Sequence, residues 1–311
     1  MRDFLIRRLI QSALLLWLIM TLTFVLVRVT PGGPEAAMLQ QEGITKEDVQ
    51  RMRERYGLAD PLHVSYAKWI GNAIRLDFGR SYHYARPPLD LIRERLGPTV
   101  QLGGLAWLIS MVGIPLGAYA AFHRSKPPDI VIRVMTVIGD ATPNWWMALV
   151  IIVVLSSTVG WFPQGQGRGN PGTWFLHIII PASILGLGGI VAFARFTRSQ
   201  VLEVLGQDYV RTARAKGLVE QAVATSHVLR NALTPSVTIF GGLLPALIGG
   251  AAITEGIFNW PGTGRLFLEA AFTRDYPLLL AIVTFGSLAT LVGTLLADIA
   301  YGLVDPRVRY G

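Results

Sequence analysis

The sequence predicts an all-α membrane protein that crosses the bilayer six times. Of its 311 residues, 51% are hydrophobic and only 15% are charged, and the mean hydropathy is +0.45. This balance is typical of polytopic membrane proteins rather than of soluble enzymes. Each predicted span is an apolar run long enough to cross a hydrocarbon core of about 30 Å. The six spans are residues 9–27, 99–122, 134–159, 175–194, 233–254 and 278–304.

At the termini and in the short loops, basic residues are concentrated on one side of these spans, while the long segment 31–98 holds ten basic and nine acidic residues and, as a long loop, escapes the positive-inside rule. The concentrated basic residues precede span one, lie between spans two and three and between spans four and five, and follow span six. The positive-inside rule therefore predicts that both termini are cytoplasmic. We divide the chain into an N-terminal span (1–30), an extracytoplasmic lobe (31–98) and a five-span core (99–311) with a cytoplasmic loop at 195–232. The first apolar run is too long for a signal peptide, so we expect an uncleaved anchor in a multi-pass protein of the plasma (inner) membrane.

Within the extracytoplasmic lobe, apolar spacing predicts three helices. The first opens at Thr45 and ends at Gly57, the second covers residues 64–74, and a short third covers residues 89–96. The lobe contains few apolar residues, so we expect it to pack on the membrane part rather than to fold alone.

The residue types that most catalytic and metal sites need are missing or scattered. The chain contains no cysteine, and none of its lysines follows a glycine, which excludes a G-K-[ST] phosphate loop. The five histidines show no metal-binding spacing, and the basic residues behind the net charge of +8 sit at the ends of apolar runs. We therefore expect no catalytic residue, no metal ion, no bound cofactor and no nucleic-acid partner for this chain.

The basic segment at 207–235 is the most informative part of the sequence. Apolar residues recur at helical spacing on both sides of Gly217, which predicts two short helices joined by a turn at that glycine. They are Leu202, Leu205 and Tyr209 before it, and Leu218, Ala222, Thr225 and Leu229 after it, with Arg211, Arg214 and Lys216 on the remaining face. Such a pair of helices either lies on phospholipid headgroups or docks on another protein. The small residues Thr212, Ala213 and Ala215 favour docking, because they form a smooth surface.

Three acidic residues lie within or near the predicted spans, where a carboxylate is costly. They are Asp140, Glu255 and Asp298. Such an acid either belongs to a transport pathway or forms a structural hydrogen bond, for Asp140 with Asn144 or with a nearby arginine. We take Asp140, Asn144 and Trp145, close to Pro143, as candidates for the translocation path.

Two stretches of the basic segment resemble a known family. Residues 208–217 fit the pattern D-Y-x-R-T-A-R-A-K-G, and residues 227–235 fit H-x-L-R-N-A-L-x-P. They resemble the EAA loop of permease subunits in binding-protein-dependent ABC importers, in the variant of the peptide, nickel and glutathione group. Relative to the general EAA pattern, Arg, Thr, His and Arg stand in place of Glu, Ala, Ile and Pro. The resemblance implies an ATPase-coupling role for Asp208, Tyr209, Arg211, Thr212, Ala213, Arg214, Ala215, Lys216, Gly217, His227 and Arg230.

Further motifs extend the resemblance over nearly the whole chain. They lie at residues 8–9, 30–32, 56–62, 77–79, 194–198, 255–266, 274–277 and 305–307. Among them, the last outer loop has the sequence E-G-I-F-N-W-P-G from residue 255. The resemblance implies contact with a binding protein for Phe258, Asn259, Trp260, Pro261 and Gly262.

The resemblance implies the fold of a type I ABC importer permease and an alternating-access mechanism. The partners it implies are a second homologous permease, two cytoplasmic ATPase subunits that hold ATP and Mg, an extracytoplasmic substrate-binding protein and the lipid bilayer. Di- or oligopeptides are the expected substrates, with glutathione, nickel complexes and oligosaccharides left open. An ion-coupled secondary transporter or channel is the main alternative, although no inverted repeat is visible. An intramembrane enzyme lacks any nucleophile–base or metal constellation.

Overall fold

The part of the chain that the computed structural model describes, residues 2–30, 60–158, 160, 174–233 and 251–304, is helical and contains no β-strand. The all-α prediction is thus confirmed for these residues, and helices satisfy their own backbone hydrogen bonds inside a bilayer. The elements are α1 (Arg2–Val29), α2 (Leu62–Ile74), α3 (Pro88–Ser110), α4 (Gly113–Phe122), α5 (Pro127–Ala141), α6 (Asn144–Thr158), α7 (Trp174–Leu205), α8 (Asp208–Ala215), α9 (Glu220–Ala222), a π-helix (Val223–Leu229), α10 (Arg230–Leu233), α11 (Ala252–Ile257), α12 (Thr263–Phe272) and α13 (Tyr276–Val304).

Four helical segments in the described ranges are long and apolar enough to cross a membrane. They are Ile6–Val29, Pro88–Phe122, Trp174–Leu205 and Tyr276–Leu296. The pair α5 and α6 adds a fifth if it forms one broken span. The predicted span at 233–254 lies almost entirely outside the described residues, as does the lobe helix predicted between Thr45 and Gly57. The count of six spans and the cytoplasmic termini stay predictions.

The second span begins earlier than its apolar run suggests. A separate short helix at 89–96 was the wrong prediction, because α3 continues unbroken from Pro88 to Ser110 and α4 follows after two further helical residues. Pro88 occupies the first turn of α3, where backbone N–H groups have no partner within the helix, so the missing N–H of proline costs nothing. The negative charge of Asp90 in the same turn is favoured by the helix dipole. Pro98 lies inside α3, as membrane helices tolerate.

The predicted third span is broken into two helices. Instead of one helix over residues 134–159, α5 and α6 meet at an angle of 98°. The cause is Pro143, whose ring disfavours helical geometry at the preceding residue and which has no N–H to donate. Thr142 accordingly adopts extended angles (φ −97°, ψ 117°). The end of α5 and the start of α6 therefore form a fixed elbow.

The long helix α7 packs closely against α3 and α4. A Cβ on Gly113 would come within 2.3 Å of the Ile190 carbonyl oxygen, and one on Gly117 would come equally close to the Ala194 carbonyl oxygen. Small residues allow such close backbone approach, which favours helix association in a bilayer. A Cβ on Gly186 of α7 would likewise lie 2.7 Å from the Ala106 carbonyl oxygen of α3, so α7 is in close contact with both helices.

The helix α2 agrees with the one predicted at 64–74 and lies against α1. Phe24 of α1 stacks on Trp69 with ring centroids 5.1 Å apart, and it meets Tyr66 edge-on at 5.4 Å. A hydrogen bond of 2.7 Å joins the Thr21 and Tyr66 hydroxyls. The helix α2 of the predicted extracytoplasmic lobe thus packs on the first span.

Candidate functional site

The predicted docking segment forms a short helical unit at the end of α7. After α7 ends at Leu205, Gly206 and Gln207 form a turn and α8 begins at Asp208. Gly217 has a φ of +78°, the left-handed conformation that a glycine turn allows. The chain then continues through α9 into the π-helix, a rare form that is frequent at functional sites. We call residues 208–229 the coupling unit.

The first of the two predicted helices is shorter than expected. Leu202 and Leu205 do not belong to the same helix as Tyr209, because they occupy the last turns of α7. Their helical spacing continues across the break at Gly206, so the pattern alone does not reveal the turn.

One face of the coupling unit is buried against the long helix. Val210 and Ala213 of α8 and Val223 and Val228 of the π-helix cluster with Val201 of α7, and all five are at most 5% exposed. Full burial of one such valine contributes about 1.5–3 kcal/mol. Ala213 therefore does not lie on the docking surface, contrary to our prediction, and the coupling unit is firmly attached to α7.

The opposite face of the coupling unit is exposed. Arg214 pairs with Glu220 across the Gly217 turn at 2.9 Å, and Arg211 lies 3.5 Å from Asp208. Exposed pairs of this kind contribute at most about 1 kcal/mol each. The predicted residues that are exposed are Asp208, Tyr209, Arg211, Thr212, Arg214, Ala215, Lys216, Gly217 and Arg230, while His227 is partly buried.

A buried ion pair connects α7 to α5. Asp129, with a side chain only 1% exposed, accepts hydrogen bonds from Arg198 at 2.7 Å and 3.0 Å and from the Ser125 backbone N–H at 2.9 Å. Arg133 lies 3.6 Å from the same carboxylate. Sequence analysis did not single out Asp129; its only local signal is an acid directly after Pro127 and Pro128, at a helix start.

The candidate path residues lie at the elbow. The Asp140 carboxylate lies 2.9 Å from an Arg195 guanidinium nitrogen, and both side chains are about half exposed. Of the two structural partners we considered for Asp140, an arginine and Asn144, the arginine is the one observed. Asn144 begins α6 and Trp145 is 48% exposed. Their role in a translocation path stays a prediction.

The loop predicted to be the last outer loop is built around a buried carboxylate. Glu255, at 0% exposure, accepts hydrogen bonds from the Thr99 hydroxyl at 3.0 Å and from the Arg265 backbone N–H at 2.9 Å, near the start of α12. A helix N-terminus favours a negative group at this position. A Cβ on Gly262 would lie 2.3 Å from a Glu255 carboxylate oxygen, so a larger residue there would force the buried carboxylate to move. We call residues 255–265 the outer turn.

The aromatic residues of the outer turn face the interior of the chain. Phe258 is 0% and Trp260 is 3% exposed, and the Trp260 indole N–H donates to the Pro98 carbonyl at 2.9 Å. Asn259 has a φ of +53° and, with Pro261, is partly exposed, while Gly262 is buried. Contact of this loop with a binding protein stays a prediction. In such a contact the buried Phe258 and Trp260 would hold the loop in shape without touching the partner themselves.

A second polar cluster joins the loop before α3 to the turn between α12 and α13. Asp275 is fully buried and accepts hydrogen bonds from the Ser81 hydroxyl and from the His83 backbone N–H. Nearby, the Tyr84 hydroxyl donates to Glu269 at 2.7 Å. Burial, together with this bond to a carboxylate, raises the pKa of Tyr84 to about 12. Among these residues only Asp275 belongs to a motif seen in the sequence.

The described helices define a multi-pass helical membrane protein, and family models identify its class. Residues 1–103 match the model of the N-terminal region of binding-protein-dependent transport system membrane components. Residues 113–310 match the model described as binding-protein-dependent transport system inner membrane component. The chain belongs to this family, and it is therefore a multi-pass inner-membrane permease of an ABC transport system.

Named relatives match the chain from end to end. It is 42% identical over 318 residues to AppB, an oligopeptide transport system permease protein of Bacillus subtilis, with 100% of both chains covered. It is 37% identical over 314 residues, again 100% of both chains, to a Brucella abortus protein named as a peptide transport system permease. A Sinorhizobium fredii protein named as a peptide ABC transporter permease is 36% identical over 311 residues, 99% of each chain.

Proposed function

We propose that this chain is a permease subunit of an ATP-driven importer of di- or oligopeptides. With a second homologous permease it would enclose the translocation path. Two cytoplasmic ATPase subunits would bind ATP and Mg, and an extracytoplasmic binding protein would deliver the substrate. The names of the full-length relatives, which are peptide permeases, support the substrate class.

The observation that carries this proposal is the two-faced coupling unit. Its inner face is fixed to α7 by buried valines, while its outer face keeps Tyr209, Thr212 and Leu218 exposed among charged side chains. A surface that mixes polar and apolar side chains, on a unit packed firmly against α7, is suited to contact with another protein. We infer that an ATPase subunit covers this face.

The buried ion pair Arg198–Asp129 connects α7, which holds the coupling unit, to α5 in the membrane part. A displacement of α8 would move α7, because their packed valines resist separation. The bidentate contact of Arg198 with Asp129 would pass the displacement to α5 and so to the elbow at Pro143. The elbow carries the candidate path residues Asp140 and Asn144, so motion of the ATPase would reach the proposed path.

Stimulated ATPase activity tests the proposal. We expect affinity purification of the chain from its native membrane to recover a second permease and Walker-type ATPase subunits, identified by mass spectrometry. The complex should hydrolyse ATP faster when loaded binding protein is added. A chain that purifies alone, or whose transport follows an ion gradient without ATP, would instead indicate a secondary transporter or channel.

A proline at the glycine turn should uncouple the complex. Gly217→Pro cannot adopt a φ of +78°, and it removes the N–H that donates to the Arg214 carbonyl at 2.9 Å. We expect peptide uptake to be lost while the binding protein still captures substrate. Gly217→Asn is the matched control, because asparagine tolerates the left-handed conformation and should retain most uptake. Normal uptake by Gly217→Pro would refute the coupling role.

A further inference from the structure

A groove lies between α5 and α7, near the ends of both helices that the positive-inside rule places toward the cytoplasm. Its volume is about 520 Å³, within the usual range of small-molecule sites. The α5 wall carries four apolar residues with exposed side chains: Ile130, Val134, Val137 and Ile138. These side chains give the groove an apolar wall that is open to a bound molecule.

The polar part of the groove carries more positive than negative charge. Three arginines line it, Arg133 on α5 and Arg195 and Arg198 on α7. Within the described ranges, their acidic partners are only Asp129 and Asp140, so one positive charge is in excess. The groove therefore favours a ligand with a negatively charged group.

The excess charge belongs to Arg133. Arg198 already donates to both oxygens of Asp129, at 2.7 Å and 3.0 Å, and the Ser125 backbone N–H adds a third hydrogen bond. The Arg133 guanidinium lies 3.6 Å from Oδ1 of the same carboxylate, too far for a hydrogen bond, and it donates to no other described residue. Its side chain is 52% exposed. The N–H groups of Arg133 are therefore accessible, and they have the geometry that binds a carboxylate through two parallel hydrogen bonds.

We propose that this groove holds a peptide substrate by its C-terminal carboxylate, which Arg133 binds. The inference rests on the proposed function and adds to it a residue that recognises the substrate. Linear peptides share this carboxylate and differ in their side chains, so a contact with it suits a permease that carries varied sequences. The apolar wall of α5 accommodates those side chains without selecting among them.

The position of the groove favours a peptide over the competing occupant, the phosphate of an anionic phospholipid. Arg195, which lines the groove, lies 2.9 Å from the Asp140 carboxylate. Asp140 stands at the end of α5, next to the elbow that carries the candidate path residues. A peptide in the groove is thus in reach of the predicted translocation path, near its cytoplasmic end.

Equilibrium dialysis tests this contact separately from substrate capture. The complex of permeases and ATPase subunits is purified without its binding protein and reconstituted into nanodiscs with equal amounts of phosphatidylethanolamine and phosphatidylglycerol. Radiolabelled trialanine is the probe, and trialanine amide, which lacks the carboxylate, is the competitor. The variants are Arg133→Gln, which removes the charge, and Arg133→Lys, which keeps the charge without the paired N–H groups. Arg124→Gln is the matched control, because Arg124 is an exposed arginine before α5 that does not line the groove.

The unchanged complex and Arg124→Gln should bind trialanine about tenfold more tightly than Arg133→Gln, as expected for the loss of one charged contact. Arg133→Lys should bind with intermediate affinity. Trialanine amide should compete poorly for the unchanged complex, whereas Arg133→Gln should no longer distinguish the two peptides. Equal binding by all variants, or no binding by the unchanged complex at up to about 10 mM peptide, would overturn the proposal.

Native mass spectrometry of the same complexes tests the competing occupant. Phosphatidylglycerol that is retained by the unchanged complex, lost in Arg133→Gln and not displaced by trialanine would overturn the proposal in favour of a lipid site. A complex that hydrolyses ATP faster with loaded binding protein but binds no trialanine would contradict this inference alone. A chain that purifies without ATPase subunits would overturn the proposed function and this inference with it. Intact assembly with the ATPase subunits shows that each variant is folded.

Discussion

The coupling unit and the outer turn are both rich in motifs, but the structure uses them in opposite ways. In the coupling unit, most of the charged and small residues face outward, and its ion pairs are exposed. In the outer turn, Glu255, Phe258 and Trp260 are buried within the chain itself. A dense motif can therefore mark either a surface for a partner or an internal support. Burial distinguishes the two.

The difference also has an energetic meaning. An exposed ion pair rearranges at little cost, so a surface such as the one around Arg214 can adapt to a moving partner. A buried carboxylate such as that of Glu255 cannot lose its hydrogen bonds without a large penalty. We therefore expect substitutions in the outer turn to affect folding, and substitutions on the exposed face of the coupling unit to affect transport alone.

The largest expected effect is that of Glu255→Ala. Its loss leaves the Thr99 hydroxyl and the Arg265 backbone N–H without their buried acceptor, and about 3 kcal/mol or more of stability should be lost. We expect a lower apparent melting temperature and a lower yield of the purified chain.

Two glycine-to-alanine substitutions, one inside the outer turn and one outside it, provide a matched test. Gly262→Ala should destabilise the chain, because its methyl group would collide with Glu255. Gly71→Ala, at an open position of α2, should be neutral or slightly stabilising. If Glu255→Ala and Gly262→Ala both melted like Gly71→Ala and the unchanged chain, the outer turn would not be an internal support.

The next largest effect separates two acids of the same helix. Both Asp129 and Asp140 lie on α5 and pair with arginines of α7, but their side chains are 1% and 56% exposed. Asp129→Ala leaves Arg198 without its partner and should cost about 3 kcal/mol. Asp140→Ala should cost less, because its side chain is not enclosed by the chain.

Melting curves and uptake assays together resolve the roles of these acids. Loss of uptake by a stably folded Asp140→Ala variant would support the predicted role in the path. If the two variants were equally stable, burial would not be what distinguishes the two ion pairs.

A smaller effect is expected for Tyr84→Phe, which removes the hydrogen bond to Glu269 and about 1 kcal/mol. Because the pKa of Tyr84 is raised to about 12, its contribution is fully present below about pH 10, the ordinary tyrosine value, and is lost as the pH rises toward 12. The melting difference between Tyr84→Phe and the unchanged chain should thus be constant from about pH 6 to pH 9. A difference that varied across this range would contradict the assignment.

Sequence analysis predicted the local features of the fold and missed the distant ones. The helix class, the turn at Gly217 and the helix α2 follow from composition and spacing. The elbow was missed although Pro143 is its visible cause, because the apolar run continues on both sides of the proline and gives no sign that the helix breaks there. The pairs Arg198–Asp129 and Ser81–Asp275 join residues 69 and 194 positions apart. No local pattern specifies contacts over such separations.

The central claim, that an ATPase subunit covers the exposed face of the coupling unit, is tested most directly by cross-linking. The chain has no cysteine, so Thr212→Cys would introduce a unique thiol at an exposed position of that face. Arg75→Cys, exposed on the segment after α2, serves as the control. We predict that a short cross-linker with one thiol-reactive and one amine-reactive end joins the Thr212→Cys chain, but not the Arg75→Cys chain, to an ATPase subunit in the native membrane. A Thr212→Cys chain that reacts with the reagent yet forms no such adduct would contradict the account.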